Sequence, residues 1–160
     1  MKKYVLIDNY FNDIQLDMFS YLFKKSYVPA EAIVNEYKWF NKDECHDNMI
    51  VCEKLIDIAQ EYYPEIQDMI GYEFWAHKGT RPLDWHFDKD EIAFEKRGIN
   101  RFPICSLIFY LEVDLLEGGN LLVKPGMSIE PMSNRLVILA PGTSHYVEKF
   151  TGNRIGINRG

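Results

Sequence analysis

A break in periodicity at Pro64 constrains this chain more than any other feature. Before it, apolar residues recur at helical spacing. After it, short apolar runs are cut by Gly, Pro, Asn and Asp. The runs are Met69–His77, Asp84–Asp88, Ile104–Val113, Asn120–Val123, Ser128–Glu130, Arg135–Leu139, Ser144–Phe150 and Arg154–Asn158. Eight short strands with turn signals between them predict a sandwich or jelly roll. Ahead of Pro64, Tyr4–Ile7 reads as a strand and residues 8–13 as a turn with helix N-cap candidates. Ile14, Met18, Phe19, Leu22 and Phe23 predict a helix over about 13–25, and Ile50, Val51, Leu55, Ile58 and Ala59 a second over about 47–62. Residues 34–44 show no clear period. The class is therefore mainly β with N-terminal helices (α+β), the helices packed on one outer face. The helical stripes cannot bury themselves alone. A single domain over 1–160 is expected, with helical support over about 1–65 and a β core over about 69–159.

A chain of 160 residues can bury a real core, and 47% hydrophobic with 26% charged residues is ordinary for a globular protein. The net charge of −6 argues against a nucleic-acid backbone as the main partner. Cys45, Cys52 and Cys105 are odd in number and form no C-x-x-C pair, so neither a disulfide framework nor a zinc knuckle is suggested. All three read as buried small hydrophobes, Cys45 and Cys52 being a heptad apart on one helical face. The apolar part of the N-terminus is too short for a signal peptide, and no run approaches a membrane span. A cytoplasmic protein without a membrane partner is expected. Oligomeric state is not encoded in these features.

The chemistry concentrates in His86 and Asp88, in the run Trp85-His86-Phe87-Asp88, with His145 and then Arg154 much later. Residues i and i+2 of a strand project to one face, so His86 and Asp88 can chelate one ion. His145 must arrive from a distant strand. Two imidazoles and a carboxylate suit a non-haem iron(II) with open positions, and zinc with a water is the competitor. Arg154 favours the former, because its planar fork binds a carboxylate bidentately. Strand alternation puts Gly156 and Asn158 on the Arg154 face, where a glycine leaves room for a ligand. Asp84 and Asp90 are rival carboxylates, Asp90 being in phase with His86.

The order His86-x-Asp88, Gly118-Gly119, His145, Arg154 resembles the 2-oxoglutarate/Fe(II)-dependent dioxygenases, and their prolyl-4-hydroxylase-like branch in particular. Supporting stretches are Leu107–Leu111, Glu117–Val123, Ile129–Leu139, Ser144–Glu148 and Arg154–Ile157. The resemblance covers about 69–159 and is loose before that. It implies a double-stranded β-helix (a cupin-like jelly roll) and hydroxylation of a prolyl or other amino-acid side chain, with decarboxylation of 2-oxoglutarate to succinate. The implied cofactors are Fe(II), 2-oxoglutarate and O2, with ascorbate in support, and the implied partner is a peptide, protein or amino-acid-type substrate. His86, Asp88 and His145 would hold iron and form the catalytic centre. Arg154 would hold the far carboxylate of 2-oxoglutarate, assisted by the Tyr110 hydroxyl, with Leu121 packed against the co-substrate and Asn158 lining its pocket. The chain departs from the pattern in lacking a helix after its last strand and a tyrosine in Trp75-Ala76-His77. Its basic residue is Arg, as in the oxygen-sensing enzymes, where collagen-type relatives use Lys.

Against this stands a non-catalytic jelly-roll module that binds a metal or small organic acid. Of the other histidines, His46 reads as solvated and His77 as structural or superficial. The charged stretch 89–103 reads equally as a substrate lid or a solvated excursion. As a lid it would offer Arg97 and Arg101, with Arg81, to an acidic substrate.

Overall fold

The computed structural model describes residues 2–26, 38–78 and 83–159, with side chains throughout except at 24–26, 38, 75–78, 83, 115–116 and 153–159. In chain order the elements are β1 (Tyr4–Asp8), α1 (Asp13–Ser26), β2 (Lys38–Asn41), α2 (Met49–Gln60), a 3-10 turn (Pro64–Asp68), β3 (Gly71–Lys78), β4 (Leu83–His86), α3 (Glu91–Arg97), β5 (Ser106–Gly118), β6 (Leu121–Val123), β7 (Met127–Ile129), β8 (Arg135–Leu139), β9 (His145–Val147) and β10 (Phe150–Arg159). One sheet runs β1-β8-β5-β10-β3-β2 and the other β4-β9-β6-β7. From β3 onward the chain is dealt between the two sheets, and every pairing is antiparallel. The mainly β class with helical support is observed.

Strand alternation builds three layers. Leu107, Phe109 and Leu111 of β5, with Leu136 and Ile138 of β8, pack towards the helices, where they meet Phe19, Phe23, Val51, Leu55 and Ile58. Their neighbours Ile108, Tyr110, Val137 and Leu139 face the other way, onto Leu121, Val123, Ile129 and Val147 of the second sheet. The helix layer is anchored by aromatic edges. Phe11 meets Phe19 at 4.9 Å and Phe109 at 5.4 Å, both T-shaped. The turn into α1 is a reciprocal capping box, in which Gln15 N donates to Asn12 Oδ1 at 2.9 Å and Asn12 N to Gln15 Oε1 at 3.0 Å.

Several expectations are corrected. Ile14 and Met18 lie exposed on α1, and Ile50 on α2, where Cys52 takes its place in the stripe. Each helix rests on the sheet through a narrow face, so the flanks of a wide apolar stripe stay outside. Cys45 is exposed, because α2 begins only at Met49 and no helix carries it inward. Ser144–Phe150 is not one strand, since β9 ends at Val147 and β10 starts at Phe150. The stretch 89–103 contains α3, capped by Asp90 and closed by Gly98 in the left-handed conformation. His46 is not simply solvated. It stacks on Phe40 at 3.8 Å and its Nε2 lies 2.6 Å from the Tyr72 hydroxyl.

Candidate metal centre

His145 opens β9, the strand that lies between β4 and β6. It is paired with His86 on one side and Val123 on the other. A tight turn delivers it. Gly142 adopts φ +66°, which a side chain would strain, and Thr143 N donates to Ala140 O at 3.2 Å. β4 ends at His86, so Asp88 lies two residues past the strand and not within it. The chain still carries its carboxylate back to the histidines. His86 Nε2 and His145 Nε2 are each 3.8 Å from Asp88 Oδ1. One ligand atom from each of the three residues lies within 4.8 Å of the others.

The remaining ring nitrogens are committed to the backbone. His86 Nδ1 is 2.6 Å from Asp84 O, and His145 Nδ1 is 3.0 Å from Thr143 O. A carbonyl oxygen only accepts, so each Nδ1 carries the proton and each Nε2 turns its lone pair towards Asp88. This second layer of hydrogen bonds orients imidazoles in metal sites. Burial pushes the proton affinity of His145 down, partly opposed by Asp88 and by the Thr143 carbonyl, which favours the neutral ligand form. Exposure grades across the trio, from 4% for the His145 side chain through 15% for Asp88 to 36% for His86. The centre thus opens on the His86 side. On the opposite strand faces Trp85 stacks on Tyr146 at 5.6 Å, with Lys124 Nζ 4.7 Å from the Trp85 ring. Two imidazoles and one carboxylate are a donor set that fits a divalent ion such as iron(II).

The rival carboxylates are occupied elsewhere. Asp90 Oδ1 accepts from Ala93 N at 2.8 Å as the cap of α3, and Asp84 Oδ1 accepts from Trp85 N at 2.7 Å. Tyr110 and Leu121 are buried together between the sheets. Arg154 pairs with Val113, Gly156 with Tyr110 and Asn158 with Ile108, so β10 runs alongside Tyr110, with a register shift between Ile155 and Gly156. The side chains of Arg154 and Asn158 lie outside the described residues, as do those of His77 and Arg81.

A cavity of about 370 Å³ reaches the trio at Asp88, with Asp90 and Arg101 also in its wall together with Glu73 of β3. Glu73 is a residue that pattern reading missed. Its neighbours Tyr72 and Phe74 are buried on the helix side of the sheet, which leaves Glu73 on the other face. A lone charge in an amphipathic strand reads as solvent-facing, yet Glu73 is only 9% exposed. Burial, reinforced by Asp90, Glu91 and Asp88, pushes its pKa up to about 7.

No family model and no curated protein matches the chain. Solved structures do. A viral collagen prolyl hydroxylase from Paramecium bursaria Chlorella virus-1, in a 2-oxoglutarate complex, is 19% identical, with 99% of this chain and 94% of that one covered and a TM-score of 0.64. A Pseudomonas putida prolyl-4-hydroxylase is 15% identical over 98% of this chain and 90% of its own, with a TM-score of 0.65. A Trichoplax adhaerens prolyl hydroxylase, in complex with a hypoxia inducible factor peptide fragment, is 13% identical over 98% and 82%, with a TM-score of 0.65. No described helix is long and apolar enough to cross a membrane. At such low identity the likeness concerns architecture, and over nearly its whole length this chain has the fold of solved prolyl hydroxylases.

Proposed function

We propose that this chain is an iron(II)- and 2-oxoglutarate-dependent hydroxylase of a prolyl or other amino-acid side chain, built as one domain over residues 1–160. In this reading β3–β10 form a double-stranded β-helix, with β8-β5-β10-β3 and β4-β9-β6-β7 as its two layers. The observation that carries the proposal is the trio itself. His86, Asp88 and His145 present two lone pairs and a carboxylate to one point, each imidazole held in the required tautomer by a backbone carbonyl. The fold shared with prolyl hydroxylases supports it.

His86, Asp88 and His145 would hold the iron. Arg154 would bind the far carboxylate of 2-oxoglutarate with help from the Tyr110 hydroxyl, Leu121 would pack on the co-substrate and Asn158 would line its pocket. Bound iron and 2-oxoglutarate supply oxygen activation, so that a substrate C–H, O2 and 2-oxoglutarate become C–OH, succinate and CO2. The protein's part is to fix each imidazole through Nδ1 on a backbone carbonyl so that Nε2 faces the common point, to hold the Asp88 carboxylate beside them, and to exclude water around His145 by burial.

The test is anaerobic addition of iron(II) and then 2-oxoglutarate, followed by oxygen. A visible charge-transfer band, then succinate, is expected. His86→Ala removes the band, whereas Arg154→Ala weakens 2-oxoglutarate binding and spares the metal. Metal binding with neither band nor succinate under any condition would point to a non-catalytic binding module instead.

A further inference from the structure

The cavity that reaches Asp88 joins an apolar wall to a buried carboxyl group that none of the described hydrogen bonds or ion pairs engages. Its wall is formed where β3 and β5 begin. The pairing of β10 reaches Phe74 and Leu107, and the space lies beyond, between Gly71–Glu73 and Ile104–Leu107. Ile66, Met69, Ile70, Phe102 and Ile104 line it with hydrocarbon. The backbone bond from Asp90 N to Arg101 O, 2.8 Å, closes the α3 excursion at its base and holds both residues in the wall.

Glu73 is nine-tenths buried, and none of the described hydrogen bonds or ion pairs engages its carboxylate. The charges that raise its pKa beyond the effect of burial, Asp90, Glu91 and Asp88, are of its own sign. Lys89, which also lines the cavity, places its Nζ 3.3 Å from the Phe94 ring centre. Arg101, the other cation of the wall, is exposed. An ion at the trio would offset Asp88 but leave Glu73 and Asp90. A buried carboxylate is costly without a partner; taking up a proton relieves it, and a cationic group entering the cavity does so with the charge retained.

We propose that this cavity is the substrate pocket and that Glu73 selects a side chain with an aliphatic stem and a cationic nitrogen head, a lysine- or arginine-type group. The stem lies along the hydrocarbon wall and the head donates to Glu73, in a cavity whose wall also holds Asp88 of the trio. An acidic substrate, which Arg97 and Arg101 suggest on sequence grounds, would set its charge against the four carboxylates of the wall, Asp68, Glu73, Asp88 and Asp90. The binding stands on the cavity alone, and only its catalytic consequence rests on the hydroxylase reading.

The probes are Nα-acetyl-lysine N-methylamide and its uncharged isostere Nα-acetyl-norleucine N-methylamide. Each is titrated into the full chain without metal and followed by tryptophan fluorescence, since Trp39 lines the cavity. The lysine probe should bind roughly ten- to a hundredfold more tightly than the norleucine probe, as expected for a buried charge-assisted hydrogen bond. Glu73→Gln should abolish that preference while remaining folded and at least as stable as the parent, which a merely structural role would not produce. His86→Ala should leave the preference intact. Equal affinity for the two probes, no measurable binding of the lysine probe, or an undiminished preference in Glu73→Gln overturns the proposal. Succinate formation without the preference leaves the hydroxylase reading standing and removes this one; the preference without succinate does the reverse.

Discussion

The metal trio and the neighbouring carboxylate are built on opposite principles. At the trio, each histidine proton has a backbone acceptor, Asp84 O or Thr143 O, so the groups left free are those that face the common point. At Glu73, burial is as deep but no described partner is supplied. Orientation at the trio is secured before any ion arrives, which limits the reorganisation that binding requires. The buried carboxylate instead leaves the folded protein in debt to a ligand. Proteins retain such locally unfavourable groups where function requires them.

Replacement at the trio should have the largest effect. His145→Ala should lower iron(II) affinity by more than about a hundredfold, beyond what loss of an outer partner alone costs, with the far-UV circular dichroism retained. Unchanged affinity in an anaerobic iron titration would break the comparison at its first term. Glu73→Gln comes next and acts in the opposite direction, on stability. The folded-state pKa is raised to about 7, against about 4.3 for an ordinary glutamate. The folded protein therefore binds the extra proton between those values, and stability falls as pH rises through that window. Glu73→Gln should remove the decline and stabilise the metal-free protein at pH 8, by on the order of 2–3 kcal/mol, with little change near pH 4. Urea unfolding at the two pH values measures this, and a parallel pH profile for parent and variant would contradict it.

Asp90→Ala should cost about 1 kcal/mol through loss of the α3 cap and leave iron affinity intact. A loss comparable to that in Asp88→Ala would make Asp90 the metal carboxylate. The smallest change belongs to the outer face. Trp85→Ala removes the stack on Tyr146 and should cost roughly 0.5–1.5 kcal/mol beyond its lost area, with neither the iron titration nor the lysine-probe preference altered.

Legibility followed the length scale of the forces. β8 was readable to the residue, Arg135–Leu139, because a short buried aliphatic run centred on β-branched Val137 and Ile138 leaves little freedom. Both long helices were readable from their stripes, though Ile14 and Ile50 were misplaced, since periodicity does not say how wide a face the sheet will cover. α3 escaped because it buries none of its residues, and its only marks are the Asp90 cap and Gly98. β9 and β10 were partly merged, because three residues are too few to show a period. At the site, the types His, Asp and His in their order were visible at once. The choice between Asp88 and Asp90 was not, because both are in phase with His86 and the cap on Ala93 distinguishes them only in three dimensions.

The sequence by itself determined which local structures form and which side chains are able to bind a metal, because propensity, periodicity and donor chemistry are properties of near neighbours. Only the tertiary structure decided that β9 lies between β4 and β6, which puts His145 opposite His86. It also decided which imidazole nitrogens carry protons, and that Glu73 is buried in one cavity wall with Asp88 without a partner among the described residues. Those outcomes depend on strands distant in the chain meeting in one register, and the energy of burying a charge does not exist until they have met.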